Sequence, residues 1–121
     1  MSGASRRAAE RRGHRAEALA ALLLRAKGYR ILDKRFRSRA GEIDLVARRG
    51  KHLAFVEVKI RETAGDAAWA VTPRQQARII RAAEHWLAIR GATGGDLDMS
   101  FDVVLVAPWG WPRHIESAFR V

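Results

Sequence analysis

Cysteine is absent from this chain, so neither a disulfide framework nor a thiolate zinc site can hold it together. The four histidines, at 14, 52, 85 and 114, follow no ligand spacing, which leaves each an ordinary surface or core residue. A chain that needs no disulfides suits a reducing compartment, and the cytoplasm is the expected location. Long hydrophobic runs are missing too. The apolar stretch Ala18–Leu24 covers seven residues, far short of the roughly 20 that cross a bilayer. With Arg6-Arg7 ahead of it, that stretch superficially imitates a secretory signal. Glu17 interrupts the approach, Arg25 and Lys27 follow directly, and no small-residue cleavage pattern appears. Acidic residues are scarce, 13 against 23 Lys and Arg, for a net charge of +10. A hydrophobic content of 48% and four Trp exclude a disordered chain, and 121 residues suit one domain with a modest core.

The charge is unevenly spread. Residues 1–39 hold twelve Lys and Arg against three acids, a net of +9, while residues 40–121 hold eleven against ten. Such asymmetry suggests an anionic polymer as partner. Arg6, Arg7, Arg11, Arg12 and Arg15 lead the chain, and residues 1–12 read as a basic, flexible arm ahead of a single domain over 13–121. A solvated tail that only aids solubility is the plain alternative. An anionic membrane surface is a weaker one, since no aromatic anchor precedes Tyr29.

What is present is a hairpin with acids on it. Gly41-Glu42-Ile43-Asp44-Leu45-Val46-Ala47 and Leu53-Ala54-Phe55-Val56-Glu57-Val58-Lys59-Ile60 both alternate apolar with other residues, the period of a half-buried strand. Arg48-Arg49-Gly50-Lys51-His52 between them reads as a turn. With Arg48 opposite Leu53, Asp44 faces Glu57, because opposed residues of an antiparallel pair share a face. Glu42, Asp44, Glu57 and Lys59 then lie on one face, and Ile43, Leu45, Val56 and Val58 on the other. Two adjacent carboxylates repel unless a cation sits between them. Lys59 is one such cation; Mg²⁺, which takes carboxylate and water oxygens, is another. The spacing alone leaves two readings open, a metal site and a cross-strand salt-bridge cluster.

Elsewhere the pattern gives a helix from about Ala8 to Ala26, closed by Gly28 as its C′ residue. Leu19, Leu22, Leu23 and Ala26 form its expected core stripe. Gly13, Glu17, Ala20, Ala21 and Leu24 make a second, small-residue face, suited to line a cleft or to form a homodimer contact. A strand over Tyr29–Arg37, bent near Asp33, precedes the hairpin. Arg61 to Ala70 is expected to be a mobile loop. Thr72, Pro73 and Gln75 spell a capping box opening a helix to about Arg90, with Ile79, Ile80, Ala83, Trp86 and Leu87 inward and Arg74, Arg78, Arg81 and His85 outward. Gly91 to Asp98 is a Gly-rich linker, and Phe101 to Ala107 a central strand in which Asp102 needs a hydrogen bond or ion pair. Pro108-Trp109-Gly110-Trp111-Pro112 is an aromatic turn expected to cap the core, with base stacking as the alternative. Arg113 to Phe119 ends the fold as a short strand.

Asp44 followed by Glu57-Val58-Lys59, with Gly41-Glu42-Ile43-Asp44-Leu45-Val46-Ala47 and Phe55-Val56-Glu57-Val58-Lys59, resembles the restriction-endonuclease-like PD-(D/E)xK superfamily. More narrowly, the chain is similar to the YraN family of small bacterial proteins, themselves similar to archaeal Holliday-junction resolvases. Gly13 to Glu17, Gly28-Tyr29, Val71 to Arg74, Phe101 to Val104 and Ile115 with Ala118-Phe119 extend the likeness over roughly residues 13 to 119. Gln75 departs from it, since relatives commonly carry Lys there. The resemblance implies an α/β fold with a mixed central sheet flanked by helices. It implies Asp44 and Glu57 as ligands of Mg²⁺ or Mn²⁺, Lys59 as catalytic lysine and Glu17 as a supporting acid from the first helix. The expected function is metal-dependent hydrolysis of DNA, branched or structured, with Arg6, Arg7, Arg11, Arg12, Arg15, Arg74, Arg78 and Arg81 on the nucleic acid. A non-catalytic nucleic-acid-binding module of the same fold, or a basic structural adaptor, are the alternatives.

Overall fold

A computed structural model describes residues 3–62, 70–90, 97–108 and 110–120. The elements are α1 (Gly3–Ala26), β1 (Arg30–Arg37), β2 (Glu42–Arg49), β3 (His52–Ile60), α2 (Pro73–Arg90), β4 (Asp98–Val106) and β5 (Arg113–Phe119). The strands form one mixed sheet in the order β1-β2-β3-β4-β5. Pairing is antiparallel except between β3 and β4, which run parallel. A parallel pair needs a crossover, and α2 lies between those strands in the chain. Residues 63–69 and 91–96 and Trp109 lie outside the described residues, and with them most of the expected mobile loop and Gly-rich linker and part of the aromatic turn.

Two apolar layers cover the sheet. On one side, Ile79, Ala82, Ala83 and Trp86 of α2 pack with Ile43, Val46, Leu53, Phe55, Phe101, Val103 and Phe119. On the other, Ala16, Ala20, Ala21 and Leu24 of α1 pack on Leu45, Ala47, Ala54, Val56, Val104 and Val106. The α2 stripe follows the sequence expectation closely. The α1 stripe does not: Leu19 and Leu22, expected in the core, are 42% and 58% exposed, and the alanine face is buried instead. Small side chains at 16, 20 and 21 let the helix backbone approach the sheet, with Leu24 filling the end of that face. That face is therefore filled within the chain and is not free for a second subunit.

The helix ends where expected and starts earlier. Gly28, at φ 94°, closes α1 with a Schellman motif: its N–H donates to Arg25 O at 3.0 Å and Tyr29 N–H to Leu24 O at 2.9 Å. At the other end α1 begins at Gly3, so residues 3–12, expected as an arm, form its first turns. No helix among the described residues is long and apolar enough to cross a membrane.

Polar groups tie the layers. The irregularity in β1 falls between Ile31 and Asp33, near the expected bend. Asp33 Oδ2 accepts from Trp86 Nε1 at 3.1 Å, fastening α2 to the edge strand. Asp102 is fully buried, and its oxygens meet His114 Nε2 at 2.7 Å and the Ser117 N–H at 3.0 Å. Burial alone would raise its carboxyl; hydrogen bonds with His114, Ser117 and Ser100 outweigh that and hold it below the usual value. Trp111 of the aromatic turn is 87% exposed and does not cap the core, while Trp109, the other candidate cap, lies outside the described residues.

Candidate metal and phosphate site

The β2–β3 hairpin sets the site. Gly50 turns the chain at φ 60°, Arg49 pairs with His52 and Arg48 with Leu53, and the ladder continues to Leu45 opposite Val56. The same register puts Asp44 opposite Glu57 one step beyond the last paired residues. There Asp44 bonds through its side chain, Oδ2 accepting from the Val58 N–H at 2.7 Å. Ile43, expected on the same face as Leu45, Val56 and Val58, packs instead into the α2 layer with Ile79, while those three lie in the α1 layer. The alternation of β2 therefore breaks between Leu45 and Ile43, where pairing with β3 has ended but pairing with β1 continues.

Asp44 and Glu57 hydrogen-bond to each other through their carboxyl groups. A carboxyl pair in contact must share a proton or hold a cation. Burial, then the Asp44 charge and the hydrogen bond to it, push Glu57 up to about 8, against the pull of Lys59; Glu42 adds to the rise. Asp44 is also raised, first by burial and then by Glu17 and Glu42, although the Val58 N–H and Glu57 oppose the change.

Lys59 is buried, and its Nζ donates to Gln75 Oε1 at 3.4 Å. Gln75 is itself fixed by the capping box, with Thr72 N–H on Oε1 and Gln75 N–H on Thr72 Oγ1, both at 3.2 Å. The cap that starts α2 thus also holds the ammonium beside Glu57. Glu42, Glu57, Gln75, Arg78 and Ile79 line a cleft of about 210 Å³. Gly41 lets the β1–β2 turn meet α2, because a Cβ there would lie 2.9 Å from the Arg78 carbonyl oxygen. A larger groove of about 800 Å³, lined by Phe55, Leu87, Met99 and Phe119 among others, holds neither Asp44 nor Glu57.

Glu17 is not free. Arg35 Nε donates to Glu17 Oε1 at 2.6 Å. Arg35 lies between the pairs Lys34–Leu45 and Phe36–Ile43, hence beside Asp44 across the β1–β2 ladder, and has φ 50°. Sequence reasoning missed it, because nothing separates it from the other bases of Arg30–Arg39. The predicted phosphate contacts Arg6, Arg7, Arg11, Arg12 and Arg15 are exposed along α1, and Arg74, Arg78 and Arg81 along α2. The two helices lie against opposite faces of the sheet, and of these arginines Arg78 lines the cleft.

Among the described residues no group of three or more His, Cys, Asp or Glu side chains is arranged to hold a metal. The pair Asp44–Glu57 still fits a hard divalent cation: both donors are carboxyl oxygens in contact, and a cation between them would take the place of the proton that burial and their mutual repulsion hold there. Mg²⁺ sites often use only one or two carboxylates plus water and substrate phosphate.

A family model described as "Uncharacterised protein family UPF0102" matches residues 16–106. A "UPF0102 protein" of Parvibaculum lavamentivorans is 57% identical over 93% of this chain and 84% of its own length. "UPF0102 protein mlr4633" of Mesorhizobium japonicum is 54% identical over 96% of this chain and 92% of its own. A "UPF0102 protein" of Methylorubrum extorquens is 50% identical over 98% and 92%.

Proposed function

We propose that this chain, which belongs to the uncharacterised family UPF0102, the YraN family, is a divalent-metal-dependent phosphodiesterase acting on branched or structured DNA. One observation carries the reading: Asp44 and Glu57 meet, half-buried, where the β2–β3 ladder ends, with Lys59 two residues along the strand. A structural salt bridge would pair each acid with a base. Here the acids pair with one another, and Lys59 points to the amide of Gln75.

Bound between the two carboxylates, Mg²⁺ or Mn²⁺ would supply a water of lowered pKa and charge stabilisation for the phosphate under attack. The protein's part is positional. The Val58 N–H fixes one oxygen of Asp44 and leaves the other for the ion. Glu57 must give up its proton to bind. Lys59, steadied by Gln75, orients the attacking water or neutralises charge developing on the phosphate. The basic helix faces supply affinity for the DNA backbone.

The test is Mn²⁺ titration by calorimetry, then cleavage of four-way, single-stranded and duplex DNA with Mg²⁺, Mn²⁺ or chelator. Asp44→Asn and Glu57→Gln are expected to abolish Mn²⁺ binding and cleavage while DNA binding stays equal or tightens. Lys59→Ala should lose turnover and some affinity. Protein that binds DNA but cuts nothing with either ion is a binding module, and absence of binding at low salt points to a basic adaptor.

A further inference from the structure

Glu17 meets Arg35 through a single nitrogen, and which nitrogen it is matters. A guanidinium carries five N–H donors, one on Nε and four on the two terminal nitrogens. Glu17 takes the Nε donor at 2.6 Å. The Arg35 side chain remains 44% exposed, against 17% for Glu17. No other hydrogen bond of Arg35 occurs among the described residues, so the terminal fork, the part that grips a phosphate bidentately, is presented to solvent. The carboxylate is thus sheltered and holds the guanidinium by its stem.

The location is equally specific. Arg35 stands opposite Asp44 on β1, in a backbone conformation (φ 50°) that a long side chain rarely adopts. Strain of this kind persists where surrounding structure imposes it and clusters at functional sites. The acid pair lies between the two helices: Glu17 of α1 acts on Asp44, while Lys59 and Gln75 on the α2 side lie beside Glu57.

We propose that Arg35 binds the phosphate backbone at this site and that Glu17 is its positioning residue rather than a metal ligand. The inference rests on the nuclease reading for its context but makes its own prediction of sign. Removing a negative charge near DNA ordinarily tightens binding. If Glu17 instead aims Arg35, removing that charge weakens it.

The experiment uses the full chain and DNA-binding anisotropy in chelator, with Mn²⁺ calorimetry in parallel. Glu17→Gln and Arg35→Asn should each weaken DNA binding about tenfold, the scale of one charged hydrogen-bonded contact. The double variant should be no worse than either single one, because both remove the same contact. Asn tolerates the left-handed backbone, so Arg35→Asn keeps the fold, and Arg35→Lys, with the charge but not the fork, should recover only part of the loss. Mn²⁺ affinity should be unchanged in Glu17→Gln. The proposal is overturned if Glu17→Gln tightens DNA binding, if the two losses add, or if Glu17→Gln loses Mn²⁺ binding as Asp44→Asn does. Should Asp44→Asn itself leave Mn²⁺ binding intact, the metal reading fails, and the DNA measurements in chelator still decide the role of Arg35.

Discussion

Two carboxyl groups in hydrogen-bond contact make the metal-free protein carry a proton that its unfolded chain would not. Glu57, ordinarily near 4.5, is pushed up to about 8, with burial the leading cause and Asp44 the next. Between those values the folded form keeps a proton that the unfolded form has released. Stability therefore falls as pH rises through that window. Asp102 acts with the opposite sign, since its carboxyl lies below the ordinary 3.8 and its contribution is lost only in stronger acid. The two effects occupy different pH ranges. Thermal melts in chelator should show a lower midpoint at about pH 8.5 than at about pH 5.5, and Glu57→Gln should remove most of that difference. Mn²⁺ should raise the midpoint more at the higher pH, where fewer protons compete for the carboxylates. A wild-type melt that is flat across this range would mean that the two acids do not share a proton.

Among the elements, α1 separates what sequence pattern conveys from what it conceals. The β2–β3 register was legible because one turn length sets the whole hairpin, although both faces of β3 are buried, Leu53 and Phe55 under α2 and Ala54 and Val56 under α1. The capping box was legible because Thr72, Pro73 and Gln75 act within one helical turn. The buried side of α1 was not. Two of its four leucines, Leu19 and Leu22, are exposed, while Ala16, Ala20 and Ala21 pack on the sheet with Leu24. Hydrophobic patterning ranks side chains by transfer free energy, whereas this contact is decided by how closely two backbones meet. Arg35 was hidden for a related reason, since its importance comes from register and from a partner eighteen residues away. Ala20→Leu should accordingly cost about 1–3 kcal/mol by overpacking a fully buried position. Leu22→Ala, at an exposed one, should stay within about 0.5 kcal/mol. Urea midpoints of the two variants test the assignment, and the reverse order would restore the leucine stripe to the core.

At the scale of the whole molecule, charge and fold divide the work. The sheet and α2 carry the acid pair, while the net positive charge is concentrated before residue 40, at +9 of the total +10. Much of it lies on α1, whose Arg6, Arg7, Arg11, Arg12 and Arg15 are all exposed on turns ahead of Ala16, the first fully buried residue of the helix. A helix segment that buries so little contributes little to the core, so its removal should leave the fold intact and act mainly on binding. Each phosphate neutralised by Lys or Arg adds about 0.9 to the slope of log affinity against log salt. Deleting residues 1–12 removes Arg6, Arg7, Arg11 and Arg12 against Glu10, a net loss of three positive charges. If all four arginines touch phosphate, the slope should fall by about three to four. The melting midpoint and the Mn²⁺ affinity should remain those of the full chain, because Asp44, Glu57 and Lys59 lie on strands the deletion does not reach. An unchanged slope would show that these arginines do not contact DNA, leaving Arg35 and the α2 arginines to hold the backbone. A falling midpoint would show that the first turns of α1 support the sheet after all.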